Sequence, residues 1–256
     1  MSAPGQKWLP LSPFRRNVVE LLRRCQRVPL VTAERQMRLA DVIEARQAIE
    51  PHPNWVALFT KAFASVAARQ PELRTSYRGF PWGHLYQHPS NIAMIMVERT
   101  VSGEAMPLNY RIRRPETLSL ASLSEELRRA KTLPIDDVPI YRRMKMIGKL
   151  PGILRRFVWT VGYHWSGDKR AHYYGTFALS SPAASGAGLT TILSPVALTL
   201  HYGLFDDAGR IDMRLTFDHR AIDGAPVARA LAGMEDALHG EILTELRQWP
   251  KLAMAA

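Results

Sequence analysis

The residues best suited to chemistry lie in one run, Phe217-Asp218-His219-Arg220-Ala221-Ile222-Asp223-Gly224, late in a chain of 256 residues. An imidazole that titrates near neutrality can take a proton from a thiol, hydroxyl or amine as that group attacks a carbonyl, then return it to the leaving group. The plain alternative is that His219 is one of eight ordinary histidines and that Asp223 caps the helix after it. Other constellations are poor. There is no His-Glu-x-x-His, no phosphate-binding loop ending in Gly-Lys-Ser/Thr and no dinucleotide fingerprint. His164, His172 and His201 lack ligand spacing, as do His84 and His88 in their Pro-flanked stretch, so no metal is expected.

The run must be held by the elements around it. Before it, Met213, Leu215 and Phe217 alternate with Arg214 and Thr216 as a half-buried strand should. After it, Pro226 opens a helix whose buried face is Val227, Ala230, Leu231, Met234 and Leu238. Earlier, Ser12 and Pro13 start a helix with Val18, Val19, Leu22 and Cys25 on one face. An extended piece covers Val28 to Leu39, and Asp41 to Ile49 reads as helical. Val56, Phe59, Phe63 and Val66 place a buried helix over Trp55 to Gln70, ended by Pro71. Strands are expected at His84 to Gln87, Ile92 to Arg99, Met106 to Ile112, Tyr174 to Ser180, Thr190 to Tyr202 and Asp212 to Phe217, with a helix from Leu118 to Leu133. The pattern predicts a mixed sheet covered by helices, without the repeated βα units of a doubly wound fold.

Composition narrows the function classes. Residues 1–12 read as a flexible N-terminal segment and 13–256 as a single domain without repeats or low-complexity linkers. Cys25 is the only cysteine, which excludes an internal disulfide, and no export signal or membrane span is evident, so a cytoplasmic location is expected. The net charge of +11 comes mostly from arginines spread through predicted helices, among them Arg23, Arg24, Arg128 and Arg129. No groove-reading motif accompanies them, so nucleic acid is not the expected partner. A solvated helix face, or attraction to a phosphorylated ligand or acidic partner, accounts for the charge instead.

The His-x-x-x-Asp-Gly run with its flanking Asp218, Arg220 and Ala225 resembles the catalytic domain of dihydrolipoamide acyltransferases from 2-oxoacid dehydrogenase complexes, and more distantly chloramphenicol acetyltransferase. Three further blocks in the same order carry the resemblance. They are Leu11-Ser12-Pro13-Phe14-Arg15-Arg16, Gln70-Pro71-Glu72-Leu73, and Gly175-Thr176-Phe177-Ala178-Leu179-Ser180. The resemblance implies an α/β fold of the α+β type, a two-layer sandwich with a mixed sheet covered by helices, assembled as a homotrimer. It implies a coenzyme A or lipoyl thioester as acyl donor and a thiol, hydroxyl or amine acceptor. His219 would be the general base, Ser180 a hydrogen-bond donor to the oxyanion, and Asp223 the residue that orders the loop by pairing with Arg15 or its neighbour Arg16. Ser180 can also be read as a strand-end serine bonded to backbone.

The sequence departs from that family in three places, the first near Ser102 to Asn109, where Ser-Gly-Glu-Ala-Met-Pro-Leu-Asn stands in place of the family's Gly-Leu-Val-Val-Pro-like segment. It begins almost at the catalytic domain, so a stand-alone acyltransferase without its own lipoyl arm is expected. A stretch from Pro134 to Trp165 has no counterpart, and there Met144, Ile147, Ile153, Leu154, Phe157, Val158 and Trp159 alternate with basic residues. It reads either as a core-packing helical insert or as a basic, apolar lid that takes a long acyl chain or rests on an anionic membrane surface. A catalytically silent trimeric binding or scaffold protein of the same fold is the alternative function.

Overall fold

The computed structural model describes residues 9–253, apart from 102, 165, 166, 184 and 185. The strands are β1 (Leu30–Arg38), β2 (Thr75–Arg78), β3 (His84–Gln87), β4 (Ile92–Val101), β5 (Glu104–Arg113), β6 (Phe177–Leu179), β7 (Leu198–Tyr202) and β8 (Arg210–Asp218). Six of them form one mixed sheet in the order β1-β8-β7-β6-β4-β5, and β2 pairs with β3 in a separate hairpin. β6 runs parallel to β7 and β4, while the other neighbours are antiparallel.

One face of the sheet carries the main core. Against it pack α3 (Trp55–Arg69), α4 (Leu120–Thr132), α8 (Gly224–Ala237) and α9 (Leu243–Ala253). In α3 the Asn54 side chain accepts from the Val56 N–H; Phe59, Phe63 and Val66 are buried as their spacing predicts, while Val56, at the start of the same face, is only partly buried. Phe63 meets Phe177 edge to face at 4.8 Å, which ties the helix to the middle of the sheet. All five apolar residues assigned to the last helix face are buried, and the chain then continues through a π-turn (Leu238–Ile242) into α9.

The other face divides in two. Over β4 and β6 it is apolar, with Met94, Ala178 and Val196 packed under Tyr163 and Tyr174. Over β1, β8 and β7 it is polar: Thr32 and Thr216 share a hydrogen bond of 2.8 Å, and Arg214 pairs with Glu34. The segment from Pro134 onward covers the apolar part with α5 (Pro139–Lys149), α6 (Gly152–His164) and α7 (Gly167–Tyr174), so it adds a partial third layer to the expected two. Tyr141 of α5 is fully buried, and a side chain at Gly148 would strike the Pro13 carbonyl at 2.0 Å, which shows how closely α5 meets α1 (Pro13–Cys25). The core-packing reading of this segment therefore holds for α5. Along α6, Ile153, Leu154 and Phe157 remain exposed. Trp165, the end of the segment as read from sequence, lies outside the described residues.

Four expectations need correction. α1 buries Phe14, Asn17, Glu20 and Cys25, a face rotated from the one expected, and Leu22 is exposed. The rotation follows from polar bonds: Asn17 donates to the Met144 carbonyl at 2.6 Å and accepts from the Trp159 indole at 3.0 Å. The strand expected over Thr190 to Tyr202 is regular only from Leu198, because Ser194 and Pro195 interrupt it. The strand expected over Tyr174 to Ser180 starts at Phe177. Gly175, with φ of +84° and backbone oxygens within 2.9 Å of where a Cβ would lie, turns the end of α7 into β6. Strand β2 was missed because four residues behind a Pro-Glu-Leu turn carry too little periodicity.

Candidate active site

His219 sits one residue beyond β8, on a turn fixed from several sides. Its N–H donates to the Pro29 carbonyl at 3.1 Å, and the Asp218 carbonyl accepts from Ala221 N–H at 2.9 Å. The ring lies edge to face with Phe217 at 5.6 Å. Asp218 is 1% exposed and takes both Arg220 nitrogens at 2.8 and 2.9 Å, and the Arg220 guanidinium lies 4.6 Å over the Tyr77 ring. The hydrogen bond to Asp218 holds the Arg220 proton more tightly than usual. This bidentate pair, with the carboxylate buried and the guanidinium partly exposed, fixes the turn on which His219 is exposed.

Asp223 occupies the cap position of α8 but makes no hydrogen bond to the helix backbone. Its carboxylate lies 3.3 Å from His219 Nδ1 instead. A carboxylate at Nδ1 favours the tautomer whose Nε2 is free to accept a proton. Both groups are exposed, so the pair contributes orientation more than stability, at most about 1 kcal/mol.

Arg15 is elsewhere. Its guanidinium pairs with Glu104 at 2.7 Å, and hydrogen bonds from the Ser12 hydroxyl and Arg15 hold the Glu104 carboxyl below its usual range. Arg16 is half-buried and has no carboxylate partner among the described residues. The expected pairing of Asp223 with Arg15 or Arg16 is thus absent within one chain, because Glu104 on the edge strand is the nearer carboxylate for the first turn of α1.

Ser180 follows the last residue of β6, where its N–H donates to the Leu200 carbonyl at 3.1 Å. Its hydroxyl is bonded to nothing among the described residues, whereas the neighbouring Ser181 hydroxyl donates to Tyr202 O at 2.8 Å and accepts from Ala183 N–H. Of the two serines, Ser180 is the one left free to meet a ligand.

The register separates it from His219. Leu179 pairs with Leu200 and Leu200 with Leu215, so Ser180 lies one residue to one side of this row and His219 four residues to the other. Five residues at about 3.4 Å and two strand spacings at about 4.8 Å place the two roughly 20 Å apart in one chain. A single chain does not bring them together.

Of the remaining histidines, His201 is plainly structural. His201 is fully buried, with Nδ1 3.1 Å from the Leu189 carbonyl and Nε2 3.0 Å from the Thr216 hydroxyl, and burial lowers its pKa to about 4. Among the described residues no cluster of His, Cys, Asp or Glu could hold a metal ion, and no helix is long and apolar enough to cross a membrane. Sequence reasoning missed two buried arginines close to the His219 loop, Arg78 and Arg170. Neither belongs to a periodic pattern, and their partners are backbone carbonyls far away in sequence.

The fold and the placement of the histidine loop define a class. The chain has the fold of the dihydrolipoamide acetyltransferase catalytic cores. A probable dihydrolipoamide acetyltransferase from Listeria monocytogenes superposes with a TM-score of 0.68 over 93% of this chain and 96% of that one, at 17% identity. A truncated catalytic core of the 2-oxoacid dehydrogenase complex from Thermoplasma acidophilum gives a TM-score of 0.66 over 92% and 99%, at 16% identity. The Azotobacter vinelandii dihydrolipoamide acetyltransferase, in which the catalytic roles of a serine, a histidine and an asparagine were investigated, gives 0.61 over 95% of each chain, at 17% identity. No protein-family model and no curated protein sequence matches the chain.

Proposed function

We propose that the protein transfers an acyl group from a coenzyme A or lipoyl thioester to a thiol, hydroxyl or amine, at a site shared between neighbouring subunits of a homotrimer. The observation that carries this reading is His219 with Asp223 at Nδ1, on a braced turn of an acyltransferase-core fold, while the free Ser180 hydroxyl stands at the opposite end of the same sheet. In the Azotobacter enzyme the investigated histidine and asparagine are four residues apart, as are His219 and Asp223 here. Two ends of one sheet meet when identical chains pack head to tail around a closed ring, which is the geometry a trimer supplies.

The chemistry balances with these groups alone. His219 Nε2 takes the proton of the acceptor as its lone pair forms a bond to the thioester carbonyl carbon. The carbonyl electrons move to oxygen, and the Ser180 hydroxyl of the adjoining chain donates a hydrogen bond to that oxyanion. As the oxyanion collapses the carbon–sulfur bond breaks, and the leaving thiolate takes the proton back from the imidazolium. Asp223 keeps the imidazole in its working orientation throughout.

In this reading α6 lies close to the site, since Tyr163 and His164 at its end line a cavity together with Arg220. A separate cavity of about 280 Å³ lies between α5, α6 and α7, lined by Ile140, Met144, Ile147, Val158 and Trp159. Its apolar wall suits a hydrocarbon chain, and the exposed Ile153, Leu154 and Phe157 beside Arg156 suit an anionic membrane surface. The test is incubation with acyl-coenzyme A thioesters of increasing chain length, following thiol release with and without candidate acceptors. Release that depends on His219 supports the proposal, and no release from any thioester favours a silent binding protein of the same fold.

A further inference from the structure

A cavity of about 470 Å³ opens beside the His219 loop, and its wall contains Arg23, Arg24, Arg27, Arg78, Arg170 and Arg220 but no carboxylate. Two links join it to the loop. Arg220 follows His219 directly, and Val28 in the wall precedes Pro29, whose carbonyl accepts from His219 N–H.

The charges in the wall do not cancel. Arg220 is matched by Asp218. Arg23 and Arg24 share one buried carboxylate, Glu20, which Arg155 and Arg156 also approach at 3.9 and 3.7 Å. Arg27, Arg78 and Arg170 have no carboxylate partner among the described residues. Arg27 is exposed at the rim, but Arg78 and Arg170 are only 4% and 6% exposed.

Both buried guanidiniums are held by neutral groups. Arg78 donates to the Tyr163 and His164 carbonyls at 2.9 and 2.8 Å, and Arg170 to the Tyr77 and Pro195 carbonyls at 2.8 and 2.6 Å and the Tyr163 hydroxyl at 3.0 Å. These neutral oxygens take two of the five N–H groups of Arg78 and three of those of Arg170, which fixes the side chains yet leaves the charge uncompensated at a poorly hydrated site. Neighbouring groups register it. Burial and the Arg170 charge both lower the Arg78 pKa, and His164 is depressed by burial and by Arg78, Arg170 and Arg24. Nearby Cys25 supplies no counter-charge, because burial pushes its thiol up to about 12.

We propose that this cavity binds the phosphate or pyrophosphate group of a substrate that reacts at His219. Fixed guanidinium forks match phosphate oxygens in pairs, and a dianion would neutralise the charge that the chain leaves open. A concave wall with two buried arginines at its base suits a discrete phosphate group better than a polymer backbone, which a flat basic face would serve. That the ligand is a substrate rests on the proposed acyl transfer; the anion site itself does not. The phosphate belongs either to the nucleotide part of the acyl donor or to a phosphorylated acceptor.

Calorimetric titration of the purified protein with inorganic pyrophosphate tests the site. Binding is expected at one site per chain, weakened by salt, about tenfold weaker in Arg27→Glu and weaker still in Arg170→Gln. No binding at millimolar pyrophosphate, or equal affinity of the wild type and Arg27→Glu, overturns the proposal, whether or not Arg170→Gln folds. Thiol release from an acyl-coenzyme A and from the matching acyl-pantetheine, which has no phosphate, then identifies the source. A preference for the coenzyme A donor that falls about tenfold in Arg27→Glu assigns the phosphate to the donor, and equal use of the two donors assigns it to the acceptor. Turnover without pyrophosphate binding sinks this site and leaves acyl transfer standing. Arginine-dependent pyrophosphate binding without turnover does the reverse.

Discussion

Mixing two inactive variants separates a site shared between chains from one built within a chain. His219→Ala removes the base, which contributes about a hundredfold to ten-thousandfold, and Ser180→Ala removes an oxyanion donor worth about a hundredfold or more. Neither change should disturb the fold, since His219 is half-exposed on a turn and the Ser180 hydroxyl bonds to nothing among the described residues. The pair lies roughly 20 Å apart along and across the strands, so in a homotrimer each site would take His219 from one chain and Ser180 from the next. In trimers formed at random from equal amounts of the two variants, a site is intact when its histidine comes from a Ser180→Ala chain and its serine from a His219→Ala chain. The chance is one half for each, so activity should rise to about a quarter of wild type. A site built within each chain would give only the mean of the two parents, about 1% or less. The assay is thiol release after co-refolding two differently tagged variants, with tandem purification to establish that mixed oligomers formed. Mixed oligomers with no more than the parental mean would refute the shared site, and a monomer by light scattering would refute the trimer.

Other perturbations follow from single contacts. His201 titrates at about 4 in the folded protein against about 6.5 in the unfolded chain, so its contribution to stability is complete above about pH 6.5 and is lost as pH falls towards 4. Between about pH 7.5 and 5 this loss is about 2 kcal/mol, and urea unfolding of His201→Gln should lack it; an equal pH dependence in both proteins would remove His201 as the cause. Asp223→Ala should lower kcat about tenfold while leaving the unfolding midpoint unchanged, because the exposed carboxylate orients the base and caps nothing. A lowered midpoint with unchanged kcat would make Asp223 a structural residue. Phe157→Asp, at an exposed position, should abolish sedimentation with anionic vesicles and leave short-chain transfer intact, whereas unchanged sedimentation would remove the membrane role from α6.

The elements that bury one regular face were legible. Phe59, Phe63 and Val66 at helical spacing, and the alternation through β8, leave a single solution for α3 and for that strand. The histidine loop was legible for the same reason, since it joins the clearest strand to the clearest helix. Legibility failed where backbone polarity decides. α1 was read by its apolar residues, but Asn17 and Glu20 point inward because the Met144 carbonyl, the Trp159 indole and four guanidiniums wait for them there. No periodicity of hydrophobic residues contains that information.

The same cause hid the meaning of the arginine surplus. Spread along the sequence, the basic residues read as solvated helix faces, and several are: Arg128 and Arg129 both pair with Glu125, and hydrogen bonds from these two arginines pull its carboxyl down to about 2. Others do different work. Arg74, Arg78, Arg99, Arg111 and Arg170 all donate to backbone carbonyls, at Ala67, Tyr163, Ala130, His172 and Tyr77 among others. A guanidinium has five donors and keeps its proton even when desolvated, so it can close several open carbonyls at element ends where a lysine could not do so in a fixed plane. Each such use fastens the fold but leaves a positive charge behind. Where two of them fall side by side, as Arg78 and Arg170 do under the His219 loop, the charge accumulates faster than the chain supplies carboxylates. The phosphate group proposed above would balance it, and on that proposal the net charge of this chain bears on its substrate as well as on its surface.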